Sequence, residues 1–331
     1  MRKVMSLFIC MSLFLLSSCD IHEWPETPEY VKCNLRLNYE TVMTKWEYIY
    51  DGEKIIEQGL GESYENNLED GMIRYVIRTY PVSEKQRSLQ EYTQEFVFTK
   101  EIGNAYDHEL TLDLLPGNYN LMVWSDFIQT SDMVHFYNVE NFTGIALLSD
   151  YYGSTNYRDA FSGQVSVSLA PNNFNQMSYT VDICMKRPLA KFEIVTGDLL
   201  EFIDTNDREL DQYKAKIQYI GFLPDTYSLF ADRPVASTTG VMFESALTPL
   251  TDLEASIGFD YVFASDNGTT VTTKIGIYDN KDRMVSMSDP ITIPLKPGHH
   301  TLLRGKFMMY DTSNGVDIDT NWGGDYNIVL R

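Results

Sequence analysis

The sequence predicts an all-β protein built from two tandem antiparallel β-sandwich domains, and three observations predict it. Apolar and polar residues alternate with period two along most of the chain, whereas an apolar period near 3.6 is scarce. Short runs rich in Val, Ile, Tyr, Phe and Thr are separated by clusters of Gly, Pro, Asn and Asp, the punctuation of an antiparallel fold. At 331 residues the chain has the length of two ordinary domains.

Residues 1–18 stand apart from this pattern. Arg2 and Lys3 precede an apolar run from Val4 to Leu16, too short to cross a bilayer and ordered as a signal peptide. The run ends in Leu16-Ser17-Ser18-Cys19, which resembles the lipobox of bacterial lipoproteins, in which the cysteine thiol receives a diacylglycerol. Acyl chains of the palmitate kind on Cys19 would hold the protein on a membrane without a spanning helix. Residues 19–30 continue as DIHEWPETPEY after the cysteine, an acidic, proline-containing tether. Asp20 and Glu23 resemble the surface-export signal of Bacteroidetes lipoproteins, which implies an outer-membrane protein facing the cell exterior. Under enterobacterial sorting, Asp20 would instead direct retention in the inner membrane.

From residue 31 onward the strands follow in order. The N-terminal sandwich, residues 31–187, is predicted from Val31–Leu37, Ile73–Tyr80, Tyr92–Phe98, Leu110–Leu114, Tyr119–Trp124, Val165–Leu169 and Tyr179–Met185. The boundary falls at Lys186-Arg187-Pro188, where one strand ends and Leu189 opens a new apolar run. The C-terminal sandwich, residues 188–331, is predicted from Ala190–Val195, Lys216–Phe222, Ile257–Phe263, Val271–Tyr278, Ile291–Leu295, Leu302–Met309 and Tyr326–Leu330. A helical excursion is expected between Asp198 and Tyr213, where apolar and acidic residues mix without proline. Two segments repeat, LLPGNYNL from Leu114 and LKPGHHTL from Leu295. Pro followed by Gly suits a type II turn, so each is expected to close a hairpin, and their likeness supports a duplication.

Composition excludes some partners. The formal net charge is −21, and loss of Arg2 and Lys3 with the leader makes the mature chain more acidic still. Such a chain is repelled by phosphate backbones, which excludes nucleic acid. Cys10 leaves with the leader and Cys19 is acylated, so Cys33 and Cys184 are the thiols of the mature body. Cys33 shares a face with Val31, Leu35 and Leu37, while Cys184 falls on the polar face with Thr180, Asp182 and Lys186, an arrangement that disfavours a disulfide.

Taken together, the lipobox, the tether beginning Asp20-Ile21-His22-Glu23-Trp24-Pro25, the segment LLPGNYNLMVW from Leu114, RPLAKFEIVT from Arg187, the second Pro-Gly segment and the ending Gly315–Leu330 resemble the fimbrillin-like lipoproteins of Bacteroidales, in particular the FimB-like minor and anchor subunits of type V pili. The resemblance implies two tandem transthyretin-like sandwiches. It further implies assembly with other fimbrillin-like subunits by strand donation, with Val31–Leu37 and Tyr326–Leu330 as the candidate strands.

No pattern of catalysis stands out. The histidines at 22, 108, 135, 299 and 300 show no HExxH spacing, and there is no CxxC pair, GxSxG elbow or dinucleotide fingerprint, so neither enzyme nor cofactor is expected. His299-His300 reads as a solvated turn. Asp317, Asp319, Asn321 and Asp325 resemble the opening of a calcium loop, but Trp322 and Ile328 stand where such a loop wants glycine and glutamate, so an Asx-rich turn is the plainer reading. Tyr151, Tyr152, Tyr157 and Arg158 are the candidates for contact with a glycan or a protein partner, against the alternative that these rings cap the end of a sandwich. Three functions follow in order of support: a fimbrial anchor or accessory subunit in cell-surface adhesion, a surface glycan-binding or adhesion lipoprotein outside any pilus, and a carboxylate-dependent envelope hydrolase.

Overall fold

A computed structural model describes residues 30–66, 68, 70–82, 91–102, 108–129, 134–148, 150–170, 178–206 and 209–309. The strands of the first part are β1 (Val31–Tyr39), β2 (Val42–Tyr50), β3 (Ile55–Leu60), β4 (Tyr64–Glu65), β5 (Met72–Pro81), β6 (Gln94–Glu101), β7 (His108–Leu114), β8 (Gly117–Ile128), β9 (Tyr137–Asn138), β10 (Ile145–Leu147), β11 (Ala160–Leu169) and β12 (Ser178–Met185). After them come β13 (Leu189–Thr196), helix α1 (Leu199–Asn206), β14 (Tyr213–Tyr219), β15 (Leu223–Ser228), β16 (Arg233–Thr238), β17 (Met242–Ala246), β18 (Thr248–Pro249), β19 (Ala255–Phe263), β20 (Thr269–Asp279), β21 (Met284–Met287), β22 (Ile291–Leu295) and β23 (His299–Gly305). The protein is an all-β sandwich protein, and α1 sits in the stretch where a helical excursion is expected.

In the first sandwich a sheet ordered β12-β1-β7 faces one ordered β11-β8-β5-β6. Alternation along β1 explains its place: Val31, Cys33, Leu35 and Leu37 point inward, with Lys32 and Arg36 exposed between them. Cys33, Leu35 and Leu37 meet Ile73, Tyr75 and Ile77 of β5 and Leu121, Val123 and Phe127 of β8 in one core. β8 runs longer than its alternation predicts because both its faces are covered, with Met122 and Trp124 entering a different core.

In the second sandwich a sheet ordered β18-β19-β13-β23-β2-β3, with β4 also on β2, faces one ordered β17-β14-β20-β21, with β22 also on β20. Phe192, Ile194, Ile217, Ile257, Ile275 and Leu303 lie in its core, and Leu199 and Phe202 of α1 join the same core. The hairpin β2–β3, which the sequence division at 187/188 assigns to the first domain, lies in this sheet, with Thr44–Ile49 running parallel to His299–Arg304. β1 lies parallel beside β12 in the first sandwich, and β13 lies parallel beside β23 in the second.

Two expectations of local structure need correction. Neither Pro-Gly segment closes a hairpin. β7 and β8 belong to opposing sheets of the first sandwich, and β22 and β23 to opposing sheets of the second, so each turn carries the chain across a core. A turn that reverses the chain permits either outcome, and the in-register partners of these strands lie elsewhere in sequence. Nor does Val31–Leu37, a candidate for strand donation, lie free in its sheet: β1 is central, hydrogen-bonded on both sides. The expected strand Tyr326–Leu330 lies outside the described residues.

Cys33 is buried opposite Tyr179 and Cys184 is exposed opposite Asn38, so the two sulfurs are free and distant along the β1–β12 ladder. Burial pushes the Cys33 thiol up to about 11. Of these two thiols, alkylation of the folded protein is therefore expected to label Cys184 alone, with Cys33 reacting only after unfolding. Peptide mass spectrometry of the adducts checks this, and a Cys33–Cys184 disulfide in unreduced protein would contradict it.

Candidate functional site

Between the sandwiches lies a third apolar core. Val76, Met122 and Trp124 present the outer face of the first sandwich, Tyr261 and Phe263 of β19 present the second, and Phe136, Tyr137, Phe142 and Ile145 fill the gap. A small sheet ordered β16-β15-β10-β9 borders it and draws strands from both halves of the chain. Rings do most of the filling: Trp124 meets Tyr137 edge-on at 5.3 Å, and Tyr227 stacks on Phe263 at 5.5 Å.

Into this seam runs the segment between β10 and β11, which carries the aromatic candidates. The Ser154 amide donates to the Phe259 carbonyl at 2.8 Å and its hydroxyl to Ser245 at 2.7 Å, which fastens the loop to the second sandwich. Gly153 permits the close approach, since a Cβ there would stand 2.2 Å from the Phe243 ring. Arg158, 2 % exposed, then reaches Asp260 of β19 with Nη1 at 2.5 Å from Oδ1 and donates to the Tyr152 and Tyr261 carbonyls at 3.2 and 3.1 Å. Asp260 also accepts the Tyr151 and Tyr219 hydroxyls, each at 2.5 Å, and the Tyr261 amide at 2.8 Å. Burial works against the charge on Arg158, but Asp260 together with Tyr151 and Tyr137 outweighs it, so the guanidinium stays ionised.

A second buried pair lies alongside. Arg187 Nε is 2.9 Å from Asp159 Oδ1, its Nη1 donates to the Glu40 carbonyl at 2.7 Å, and its guanidinium lies over the Phe161 ring. Asn66 donates to the other oxygen of Asp159 at 3.2 Å. Beyond it, Lys191 is enclosed by Tyr64, Phe259 and Tyr261, and on the same strand Glu193 lies 3.3 Å from His300. Burial pushes Glu193 up, but the His300 hydrogen bond and the neighbouring cations pull it down to about 2. His300 itself is buried within β23 rather than solvated in a turn, and burial pushes its imidazole below the ordinary value.

The structure thus separates the residues that the sequence groups as contact candidates. Tyr151 and Arg158 are committed to Asp260, and Tyr157 donates to the Asp70 carboxylate, so the capping alternative describes these three. Tyr152, 55 % exposed, is the one whose ring faces solvent. Asp260, Asp159, Arg187, Lys191 and Glu193 escape a sequence search for chemistry because each reads as an isolated charge. A usable signal is present all the same: Lys191 in LAKFEIV and Asp260 in IGFDYVF interrupt runs otherwise buried on both faces. Cys19, Asp20, Glu23, Asp317, Asp319, Asn321 and Asp325 lie outside the described residues. Among the described residues, no group of three or more His, Cys, Asp or Glu could hold a metal ion, and no helix is long and apolar enough to cross a membrane.

A family model for a family of unknown function, DUF6562, matches residues 28–331, which takes in both sandwiches and the seam. The chain belongs to that family. This DUF6562 chain matches no curated protein. Among solved structures it is similar to a proposed adhesin from Bacteroides ovatus, at 13 % identity and a TM-score of 0.39 over 82 % of this chain and 80 % of that one. It is also similar to a proposed polysaccharide-binding protein from Bacteroides thetaiotaomicron, at 9 % identity and 0.41 over 78 % and 80 %. A third similar structure is the fimbrial anchor protein Mfa2 from Porphyromonas gingivalis, at 10 % identity and 0.38 over 78 % and 82 %.

Removing one partner of the Arg158–Asp260 pair strands a buried charge, so Arg158→Met and Asp260→Leu should each lower unfolding stability by about 3–5 kcal/mol in urea titrations, and the two changes together by clearly less than the sum. Glu193 sets a pH dependence of known sign. Its carboxyl binds protons less readily folded than at its ordinary value of 4.5, so its contribution is full above that pH and is lost as pH falls toward about 2. Glu193→Gln should flatten that part of the stability profile.

Proposed function

We propose that this protein is a lipid-anchored surface protein of the outer membrane that serves in adhesion as an anchor or accessory subunit of a fimbria, with each half of the body a transthyretin-like sandwich. The observation that carries the reading is the order of parts. An acylatable Cys19 closes an apolar leader, an acidic tether follows, and then come two sandwiches joined by a packed, charge-bearing seam. A body tied to a membrane at one end must transmit force without its halves parting, and a seam of interlocked rings and buried ion pairs suits that task.

Partner subunits of the fimbrillin-like kind would add to an unpaired strand edge. β3 has such an edge among the described residues, and Ile56 and Leu60 are exposed on it. Donation of β1 would instead break two ladders at once. Glycan capture is the second reading, favoured by the exposed Tyr152 ring, which is free to stack on a sugar.

Cells expressing the full chain should incorporate labelled palmitate into it and retain it in the outer-membrane fraction, and Cys19→Ala should abolish both. Crosslinking on intact cells should then recover other fimbrillin-like chains. Recovery of none, together with binding to a glycan array that Tyr152→Ala abolishes, would favour the second reading.

A further inference from the structure

Lys191 has surroundings that an ordinary structural lysine does not need. It projects from β13, a strand of the second sandwich, and is 3 % exposed, with its Nζ 3.9 Å from the centre of the Tyr64 ring and 4.2 Å from that of Phe259. The ammonium donates to the Tyr64 hydroxyl at 2.6 Å and to Asn156 Oδ1 at 3.4 Å. Asn156 belongs to the loop that joins β10 to β11. Its Oδ1 also accepts the Tyr261 hydroxyl at 3.2 Å and the Tyr64 hydroxyl at 3.4 Å. An amine, an amide carbonyl and two phenol donors aimed at that carbonyl oxygen therefore converge in a site walled by aromatic rings.

We infer that Lys191 and Asn156 are joined by an intramolecular isopeptide bond that this site forms without a cofactor. Lys191 Nζ, as the neutral amine, attacks Cγ of Asn156. The Cγ–Nδ2 bond breaks, and Nδ2 leaves as ammonia with one hydrogen passed from Nζ. The product is a secondary amide between the two side chains. No electron is gained or lost, and no co-reactant is consumed.

Each requirement of that step has a residue assigned to it. The attacking amine must be unprotonated, and burial among rings pulls Lys191 down to about 8, with Glu193 and Asp159 only partly opposing the shift. Negative charge that develops on the amide oxygen needs a donor already in place, which the Tyr261 hydroxyl supplies at 3.2 Å. The proton leaving Nζ has the Tyr64 hydroxyl at 2.6 Å to accept it, and that hydroxyl lies 3.4 Å from Oδ1 on the carbon that also carries the leaving nitrogen, so it is the group placed to pass a proton on to that nitrogen as Cγ becomes tetrahedral. Burial pushes Tyr64 up to about 12, which keeps the phenol protonated for that relay.

The bond would tie together two points 35 residues apart in sequence, one in the loop that leads into the first sandwich and one in a core strand of the second. A crosslink there constrains the unfolded chain as a disulfide does, and it survives reduction. The inference is independent of the proposed function, since it rests on the seam alone.

Proteolysis of the full chain, purified under native conditions and analysed by tandem mass spectrometry, tests it. A single branched peptide is expected that contains both Asn156 and Lys191 and weighs one ammonia less than its two arms combined. Lys191→Met and Asn156→Ala should each abolish it, and Tyr64→Phe should slow its accumulation ~100-fold while leaving both arms intact. Recovery of Asn156 and Lys191 from the wild-type protein only in separate, unmodified peptides would overturn the inference, whatever the variants do. Unchanged accumulation in Tyr64→Phe would overturn the relay.

Discussion

Two ion pairs buried between two sandwiches constrain everything around them. Withdrawing Arg158 and Asp260 from water costs more than their attraction returns unless the remaining donors and acceptors are met, and the molecule meets that demand from the loop that leads into β11 and from the second sandwich. Asp260 takes donors from the loop, from β14 and from its own strand, while Arg158 reaches one carbonyl in the loop and one on β19. Moving one sandwich against the other by an ångström or two would break several of these at once. Apolar contact supplies the stabilisation, through Trp124, Tyr137, Tyr261 and Phe263, but apolar contact alone tolerates sliding. The charged pairs set the registration.

The connectivity reinforces that constraint. β2 and β3 leave the first sandwich at once and complete the sheet of the second, next to β23. β15 and β16, from the second half of the chain, pair with β10 and β9 from the first. Each half therefore holds strands that the other needs, so the halves are interleaved rather than strung together.

Much of the architecture is legible from residue order. Period-two alternation places β1 and β12, with the inward face of each, because one side of such a strand is buried and the other wet. Continuous apolar runs place β13 and β19 without revealing which neighbours cover them. What escapes is nonlocal. In β2 the charges Lys45 and Glu47 sit among large rings, and nothing local tells that its partner is a strand more than two hundred residues on. Pro224 and Pro234 disguise β15 and β16, whose irregular pairing tolerates them at bulges. The same limit governs the site. Tyr151 and Arg158 attract notice as a binding motif, yet their partner Asp260 lies about a hundred residues away, and burial inverts their meaning from contact surface to structural joint.

Whether the seam makes one body of two sandwiches can be measured directly by scanning calorimetry of the wild-type chain. A single transition whose calorimetric and van't Hoff enthalpies agree is the predicted result. Two resolved transitions, one for each sandwich, would contradict it.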